Sequence, residues 1–272
     1  MPMRCGRLRP YRRAMKQNPV QRLARRRPLI VSMLAPAVMI VTGAVVGGIA
    51  QAAGATQGWP SAIGTGAHVV IAGLLLYAIR IWRPMYSGRL PRAWHLLWLP
   101  ALFALSPWTE GGIAVPAGWT LPALVTEEIG TGVAEEALFR GFMLIVLLHA
   151  WGASGRGIRC AVIAQGVIFG VAHLIVGGLD LVVISAVMGI LFGAVAIRWG
   201  TFWPLVPAHA LGNLGYQLLP PDQAASSVAA GLTTVVLLIG TLAVSAWLLR
   251  DAAIRGWLPV PDVVSDRLAP TI

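Results

Sequence analysis

Four side chains of the kinds that activate water occur in three separate apolar stretches of the sequence, namely Glu135, His173, His209 and Asn213. Hydrolysis of a peptide bond requires a base that takes a proton from water, donors for the developing oxyanion and a proton for the leaving amine. A desolvated glutamate can serve as that base, a neutral histidine can hold the water, and a histidine with an asparagine amide can donate to the oxyanion. These residue types therefore favour a hydrolase.

The same four residues also suit a metal site. Glutamate and histidine ligate a divalent cation such as zinc, which lowers the pKa of a bound water. Glu135, His173, His209 and Asn213 are therefore candidate metal ligands as well as candidate catalytic groups. Their spacing alone does not choose between the two chemistries.

Spacing within the polar segments adds a supporting pair. Glu136 and Arg140 are four residues apart, so on a helix they share a face and can neutralise each other. Glu135 points about 100° away from Glu136 and stays free for chemistry. His209 and Asn213 share a face by the same four-residue rule. Because an ionised group is costly inside a membrane, each such residue is by default functional and needs a partner.

The elements that must position these residues are transmembrane helices. The chain has 272 residues, of which 57% are hydrophobic and 11% charged, and its mean hydropathy is +0.75. An ordinary soluble domain is roughly 45–50% apolar and about 25% charged, so the composition excludes a disordered chain and disfavours a water-soluble one. The length suffices for about eight spans of ~20 residues. We therefore predict one all-α polytopic membrane domain whose helices enclose a polar intramembrane cavity.

Apolar runs of membrane length recur along the chain. Eight of them are predicted spans: Leu29–Ala53, Ile63–Trp82, Ala93–Pro107, Leu121–Ala150, Gly157–Val176, Leu181–Arg198, Phe202–Leu219 and Val228–Leu249. The third run is short and contains proline, which favours a tilted or half-buried segment. The fourth run carries four glutamates and would escape a hydropathy window.

The basic residues favour one orientation of these spans. The net charge of +11 would indicate nucleic-acid binding in a soluble protein. Here, however, every Lys and Arg except Arg140 falls on the inner side once the N-terminus is placed inside, which is the positive-inside pattern. We therefore predict a plasma-membrane protein, without a nucleic-acid partner, that has a basic cytoplasmic tail at 1–28, a membrane domain at 29–250 and a cytoplasmic tail at 251–272.

This topology also predicts the depth of the polar residues. Counted from the inner ends of their helices at 1.5 Å per residue, the four candidate catalytic residues lie roughly 14–25 Å into the membrane. Side chains from three helices then meet near one layer. His68, His95 and His149 stand near span ends or alone on apolar faces, so we interpret them as structural or interfacial.

Other protease signatures are weak or missing. Residues 152–155 read Gly-Ala-Ser-Gly and match the motif of rhomboid-type serine proteases, but they fall in a predicted inner loop, which favours a turn. The sequence has no HExxH and no GxGD motif, and Cys5 and Cys160 form no CxxC pattern. Glycines four residues apart, such as Gly43 and Gly47, predict close helix packing.

Three motifs in a fixed order resemble one family of membrane proteases. The motifs are Glu135-Glu136-x-x-x-Arg140, Phe169-x-x-x-His173 and His209-x-x-x-Asn213. Together they are similar to the signature of the CPBP intramembrane proteases, the Abi or CAAX prenyl endopeptidase family. The flanking sequence Glu-Glu-Ala-Leu-Phe-Arg-Gly at 135–141 is similar as well, and the likeness extends from about Leu121 to Gln217.

The resemblance implies an eight-helix membrane fold around a conical cavity. It also implies that Glu135 is the general base on water, that His173 assists it, and that His209 and Asn213 lie at the oxyanion. The residues that would hold the site together are Glu136, Arg140 and Phe169. The family is often described as metalloproteases, although a metal-free glutamate mechanism is also argued for it, so one zinc ion stays an alternative.

The predicted function is an intramembrane endopeptidase that acts on a peptide or membrane-protein substrate in the lipid bilayer. The family name refers to prenylated CAAX tails, and relatives are linked to bacteriocin maturation and self-immunity. The alternative is a non-catalytic scaffold or immunity protein, or an ion- or metal-handling protein, that uses the same polar cluster. Transport is disfavoured because the sequence shows no paired broken helices and no inverted repeat. Glu127 and Glu128 are additional acids for which the motifs predict no role.

Overall fold

The computed structural model describes residues 18–80, 94–105, 108, 113–152, 154–219 and 228–255. Within these ranges the regular structure is entirely helical, as the composition predicts. The α-helices are α1 (Pro19–Arg26), α2 (Pro28–Ala52), α3 (Trp59–Ala78), α4 (Trp98–Leu105), α5 (Leu121–Glu135), α6 (Leu144–Trp151), α7 (Gly155–Ala172), α8 (Leu179–Trp199), α9 (Leu205–Leu218) and α10 (Val228–Arg255). A 3-10 turn at Trp94–Leu97 precedes α4, another at His173–Ile175 follows α7, and a π-helix at Glu136–Met143 joins α5 to α6.

Among the residues that the structure describes, four helices are long and apolar enough to cross a membrane: α2, α3, α8, and α7 together with its 3-10 turn. All eight predicted runs overlap helical segments, while the number of crossings stays a prediction. The third run is the short segment Trp94–Leu105. The fourth is a continuous helical rod from Leu121 to Trp151, formed by α5, the π-helix and α6.

Within the segment predicted as a basic tail, Pro19–Arg26 is helical. α1 begins at a capping box, in which the Asn18 side chain accepts from the Gln21 amide and the Gln21 side chain accepts from the Asn18 amide. The same two side chains donate to the carbonyl oxygen of Ala78 at 2.7 and 2.9 Å. These bonds tie α1 to the end of α3.

Several predictions concern parts of the chain outside the described residues. They are the tail before Asn18, which includes Cys5, the side chain of His95, and the tail after Arg255.

Glycines set the closest contacts between peripheral helices. A Cβ atom on Gly47 of α2 would stand 2.8 Å from the carbonyl oxygen of Pro60 in α3. A Cβ atom on Gly189 of α8 would stand 2.9 Å from the Cα atom of Gly166 in α7. Since real Cβ atoms do not approach this closely, the small-residue packing predicted from glycine spacing is confirmed for these two helix pairs.

The rod from Leu121 to Trp151 runs through the centre of the helix assembly. Every residue from Glu136 to Leu147 is buried, and the rod packs against α3, α7, α8 and α9. By contrast, α2 exposes more than half of Val41, Val45 and Ile49. Charged groups inside and large apolar side chains outside are the arrangement that a lipid surrounding favours.

Candidate active site

A cavity of about 770 Å³ lies among α2, α3, α5, α9 and the end of α7. Three of the four candidate catalytic residues line it, namely Glu135, His173 and Asn213. The fourth, His209, is 5% exposed and lies next to Glu135. Three helices far apart in the sequence therefore bring these residues to one site.

Glu135 and Glu136 have different surroundings because they lie at the junction of α5 and the π-helix. Glu135 ends α5 and has 18% of its side chain exposed, whereas the Glu136 side chain is 0% exposed. Glu136 Oε1 accepts a hydrogen bond from Arg140 Nη1 at 2.9 Å, which confirms the pair predicted from the four-residue spacing. π-Helical segments of this kind occur frequently at functional sites.

His209 connects the two glutamates. Its Nδ1 donates to Glu136 Oε1 at 2.7 Å, and its Nε2 lies 3.5 Å from Glu135 Oε2. Glu136 Oε1 therefore accepts from both Arg140 and His209. The result is a cluster of two carboxylates, a guanidinium and an imidazole directly beside the cavity.

His173 lies where α7 gives way to a 3-10 turn. Its Nδ1 donates to the carbonyl oxygen of Phe169 at 2.8 Å, because a carbonyl can only accept. This bond fixes the ring and leaves Nε2 as the nitrogen available to the cavity that His173 lines. The residue therefore presents one acceptor nitrogen at a defined place.

An aromatic layer connects both imidazoles to the buried arginine. The centroid of Phe169 lies 4.6 Å from that of His173, 6.0 Å from that of His209 and 4.6 Å from the guanidinium carbon of Arg140. Phe192 of α8 makes similar contacts, at 6.1 Å from His209 and 5.3 Å from Arg140. Phe169 was predicted as a supporting residue, but Phe192 was not, since one aromatic residue in an apolar run gives no signal.

The region that holds this site matches a known protein family. Its description is Type II CAAX prenyl endopeptidase Rce1-like, and the match spans residues 116–215. The resemblance to CAAX prenyl endopeptidases that rested on the three motifs is thereby confirmed for this region, which we call the Rce1-like region. Together with the apolar helices, the match indicates an integral membrane protein whose residues 116–215 are similar to a CAAX protease family. No curated protein and no solved structure matches the chain.

Two further acids of the Rce1-like region line the same cavity. Glu127 accepts a hydrogen bond from the Ser61 hydroxyl of α3. Glu128 is 5% exposed and forms a side-chain hydrogen bond with Asn213 of α9. The motifs predict no role for either acid, and the structure gives each a partner on a different helix.

The histidines interpreted as structural fall in different places. His68 of α3 lines the cavity, and a Cβ atom on Gly43 of α2 would overlap its ring. His68 reaches the cavity because of the way α3 packs against the other helices, and local sequence spacing does not predict this packing. His149 Nε2 lies 3.1 Å from a guanidinium nitrogen of Arg25, which agrees with a structural interpretation.

The serine of the rhomboid-like motif caps a helix. Ser154 Oγ accepts from the Gly157 amide at 3.1 Å at the beginning of α7. Ser154 does not line the cavity that holds Glu135. The structure therefore gives Ser154 a capping role at the beginning of α7.

The described residues do not form a set of metal ligands. In the part of the chain that the structure describes, no group of three or more His, Cys, Asp or Glu side chains is arranged to hold an ion. His209 turns its two ring nitrogens to Glu136 and Glu135, and His173 commits Nδ1 to a backbone carbonyl. In this arrangement the described site residues thus do not fit a zinc ion.

Proposed function

We propose that the protein is an intramembrane endopeptidase in which Glu135 removes a proton from the attacking water. The observation that carries this proposal is the convergence of Glu135, His173 and Asn213 on one cavity from three helices. Of the two adjacent acids, Glu136 is enclosed with Arg140, whereas Glu135 keeps an exposed fraction toward the cavity. Glu135 is therefore the acid placed to meet a substrate.

Each cavity residue has its own role in the reaction. A water hydrogen-bonds His173 Nε2 with one hydrogen and gives the other to Glu135. The resulting hydroxide attacks the peptide carbonyl carbon, and the Asn213 amide donates to the oxyanion. Glu135 then passes its proton to the leaving nitrogen as the C–N bond breaks. Glu135 thus acts as base and then as acid.

His209 supports Glu135 rather than the oxyanion in this mechanism. Its Nδ1 bonds to Glu136 and its Nε2 lies 3.5 Å from Glu135 Oε2, so both ring nitrogens face carboxylates, and His209 does not line the cavity. The imidazole lies beside the Glu135 carboxylate, while Arg140 supplies the buried positive charge that balances Glu136. This assignment differs from the oxyanion role that the family resemblance implies for His209.

The cavity walls favour a peptide that arrives from the membrane. Ile40 of α2 lines the cavity together with Ile175, Val176 and Leu181, which follow His173. Ile175 and Val176 are 69% and 76% exposed, so the cavity wall that they form carries open apolar surface. We assign the substrate as a peptide segment of a membrane-attached protein, with C-terminal tails of the CAAX type as the first class to test. The enzyme is assigned to the plasma membrane with both termini cytoplasmic.

Glu135→Gln tests the proposal most directly. The full-length protein is reconstituted in lipid vesicles with a library of membrane-anchored peptides, and products are identified by mass spectrometry. Because loss of a general base costs about 10²–10⁴-fold, cleavage by Glu135→Gln is expected to fall by at least ~10²-fold. Glu127→Gln, which removes a neighbouring cavity acid, controls for loss of charge and is expected to cost less than ~10-fold. Cleavage at the wild-type rate by Glu135→Gln would overturn the proposal.

Metal removal tests the chemistry independently of the protease assignment. Metal is removed by exhaustive chelation, and elemental analysis verifies the removal. The cleavage rate is expected to stay within about 2-fold of that of the untreated enzyme, because protein groups supply the general base, the general acid and the oxyanion donor. A loss of activity that added zinc restores would contradict the metal-free steps and leave the endopeptidase assignment standing.

A further inference from the structure

The site depends on one close contact between α5 and α9. A Cβ atom on Gly132 of α5 would stand 2.9 Å from the carbonyl oxygen of Val206 and 3.2 Å from the Cβ atom of Ala210. The two backbones therefore touch at Gly132, and any larger residue there would push them apart. This contact fixes which side chains of the two helices meet on either side of it.

Side chains pair across the helices on both sides of Gly132. On the C-terminal side, Glu136 meets His209 at 2.7 Å. On the N-terminal side, one turn earlier in α5, Glu128 meets Asn213, which lies four residues after His209 in α9. The residue order shows that the helices run antiparallel. Each carboxylate therefore faces one of the α9 residues of the His209-x-x-x-Asn213 motif.

The chemistry of this second pair determines how the Asn213 amide is oriented. When Glu128 is ionised its carboxylate can only accept, so Asn213 then turns its Nδ2 toward Glu128. One of the two Nδ2 hydrogens is then used by Glu128, and the other is left for the cavity that both residues line. Since Glu128 is 5% exposed, a water molecule does not readily take its place as the acceptor for the Asn213 Nδ2 hydrogen. Without this acceptor, the amide is free to rotate and present its carbonyl oxygen instead.

We propose that Glu128 is a positioning residue, which holds the Asn213 amide with an N–H group directed at the substrate oxyanion. Glu128 orients the Asn213 side chain through a hydrogen bond, as Glu136 orients the His209 ring. The inference rests on the proposed function, in which Asn213 donates to the oxyanion. It adds a residue that lies outside the three family-like motifs and that acts through another side chain.

A double-mutant cycle between Glu128 and Asn213 tests the inference. Loss of an oxyanion donor costs about 10²–10³-fold in kcat, so Asn213→Ala is expected to lower kcat by ~10²-fold. Glu128→Leu is expected to lower kcat by ~10-fold with KM within about 2-fold, because only the orientation of the donor is lost. Glu128→Gln retains a carbonyl acceptor and is expected to recover part of that loss. The double variant Glu128→Leu with Asn213→Ala should be no slower than Asn213→Ala alone.

Glu127 provides the matched control. Glu127→Leu removes an acid from the same cavity wall, but its hydrogen-bond partner is Ser61 rather than Asn213. The fold-change in kcat of the double variant Glu127→Leu with Asn213→Ala is therefore expected to equal the product of the two single fold-changes, whatever the size of the Glu127→Leu effect. If the effects of Glu128→Leu and Asn213→Ala also multiply, Glu128 does not act through Asn213 and the inference is wrong.

Thermal unfolding in detergent separates this inference from the proposed function. Glu128→Leu and Asn213→Ala are expected to lower the melting temperature non-additively, since they break the same hydrogen bond. Additive shifts would show that the contact is not made, and the inference would fall even if the enzyme is active. A wild-type rate in Glu135→Gln would instead remove the proposed function and leave the Glu128–Asn213 contact intact. Glu128→Gln, which keeps the side-chain volume, carries the same test if the leucine variant fails to fold.

Discussion

Two acidic pairs on one helical rod are stabilised in different ways. At the junction of α5 with the π-helix, Glu136 is fully buried and bonded to Arg140 and His209. About two turns earlier, Glu127 and Glu128 lie on the cavity wall, where their partners are the neutral side chains of Ser61 and Asn213. The first pair includes a charge-balanced core of the fold, and the second orients neutral donors at the cavity. Loss of Glu136 should therefore mainly lower stability, whereas loss of Glu128 should mainly alter catalysis.

Glu136→Leu is expected to have the largest effect on stability. It leaves the guanidinium of Arg140 buried without its carboxylate, which costs about 3–5 kcal/mol in the free energy of unfolding. Adding Arg140→Met should recover a large part of that loss, because an apolar pair can replace a buried ion pair. Chemical denaturation in detergent micelles measures both variants. A loss for Glu136→Leu no greater than that for Glu128→Leu would contradict the distinction between junction and wall.

His173→Gln is expected to show the opposite behaviour. It removes a cavity nitrogen that holds the attacking water, so kcat should fall by about 10²-fold or more. The melting temperature should change little, since the described contacts of the ring are one hydrogen bond to Phe169 and the face of its aromatic ring. Steady-state kinetics and thermal unfolding on the same preparation decide the matter. A variant that is destabilised but still catalyses at the wild-type rate would assign His173 to the fold.

Ser154→Ala is expected to have the smallest effect and serves as a reference away from the rod. Loss of the N-cap of α7 costs roughly 1 kcal/mol of stability. Cleavage should continue at the wild-type rate, because the Ser154 hydroxyl accepts from the Gly157 amide and lies off the cavity. Peptide cleavage and thermal unfolding are measured side by side. Abolished cleavage in a folded variant would reopen the serine-protease interpretation of residues 152–155.

Local spacing was enough to predict part of the site. The four-residue interval between Glu136 and Arg140 predicts an ion pair, and the structure contains it. The glycine intervals predict close helix contacts, which occur between α2 and α3 and between α7 and α8. The ion pair lies within one helix, and the close contacts require only that a side chain is absent. Short-range spacing in the sequence is therefore sufficient to predict both.

Other parts of the site depend on tertiary packing and leave no mark in the local pattern. His209 shares a helix face with Asn213, but its place between two glutamates follows from the contact of α9 with Gly132. The sequence spacing could not show that Glu128 would meet Asn213, or that α3 would bring His68 to the cavity. The π-helix is equally invisible, because its widened turns arise from the packing of a fully buried segment.

The π-helix has a consequence for the length of this chain. Each i to i+5 turn holds one residue more than an α-helical path would need. Deleting one residue between Glu136 and Met143 would let the segment return to an ordinary helix, so α6 would keep its orientation relative to α5. The side chains inside the segment, however, would turn by up to about 100°, the rotation of one residue, and lose their buried contacts. Homologous proteins should therefore tolerate substitutions in this stretch more readily than a change in the number of its residues.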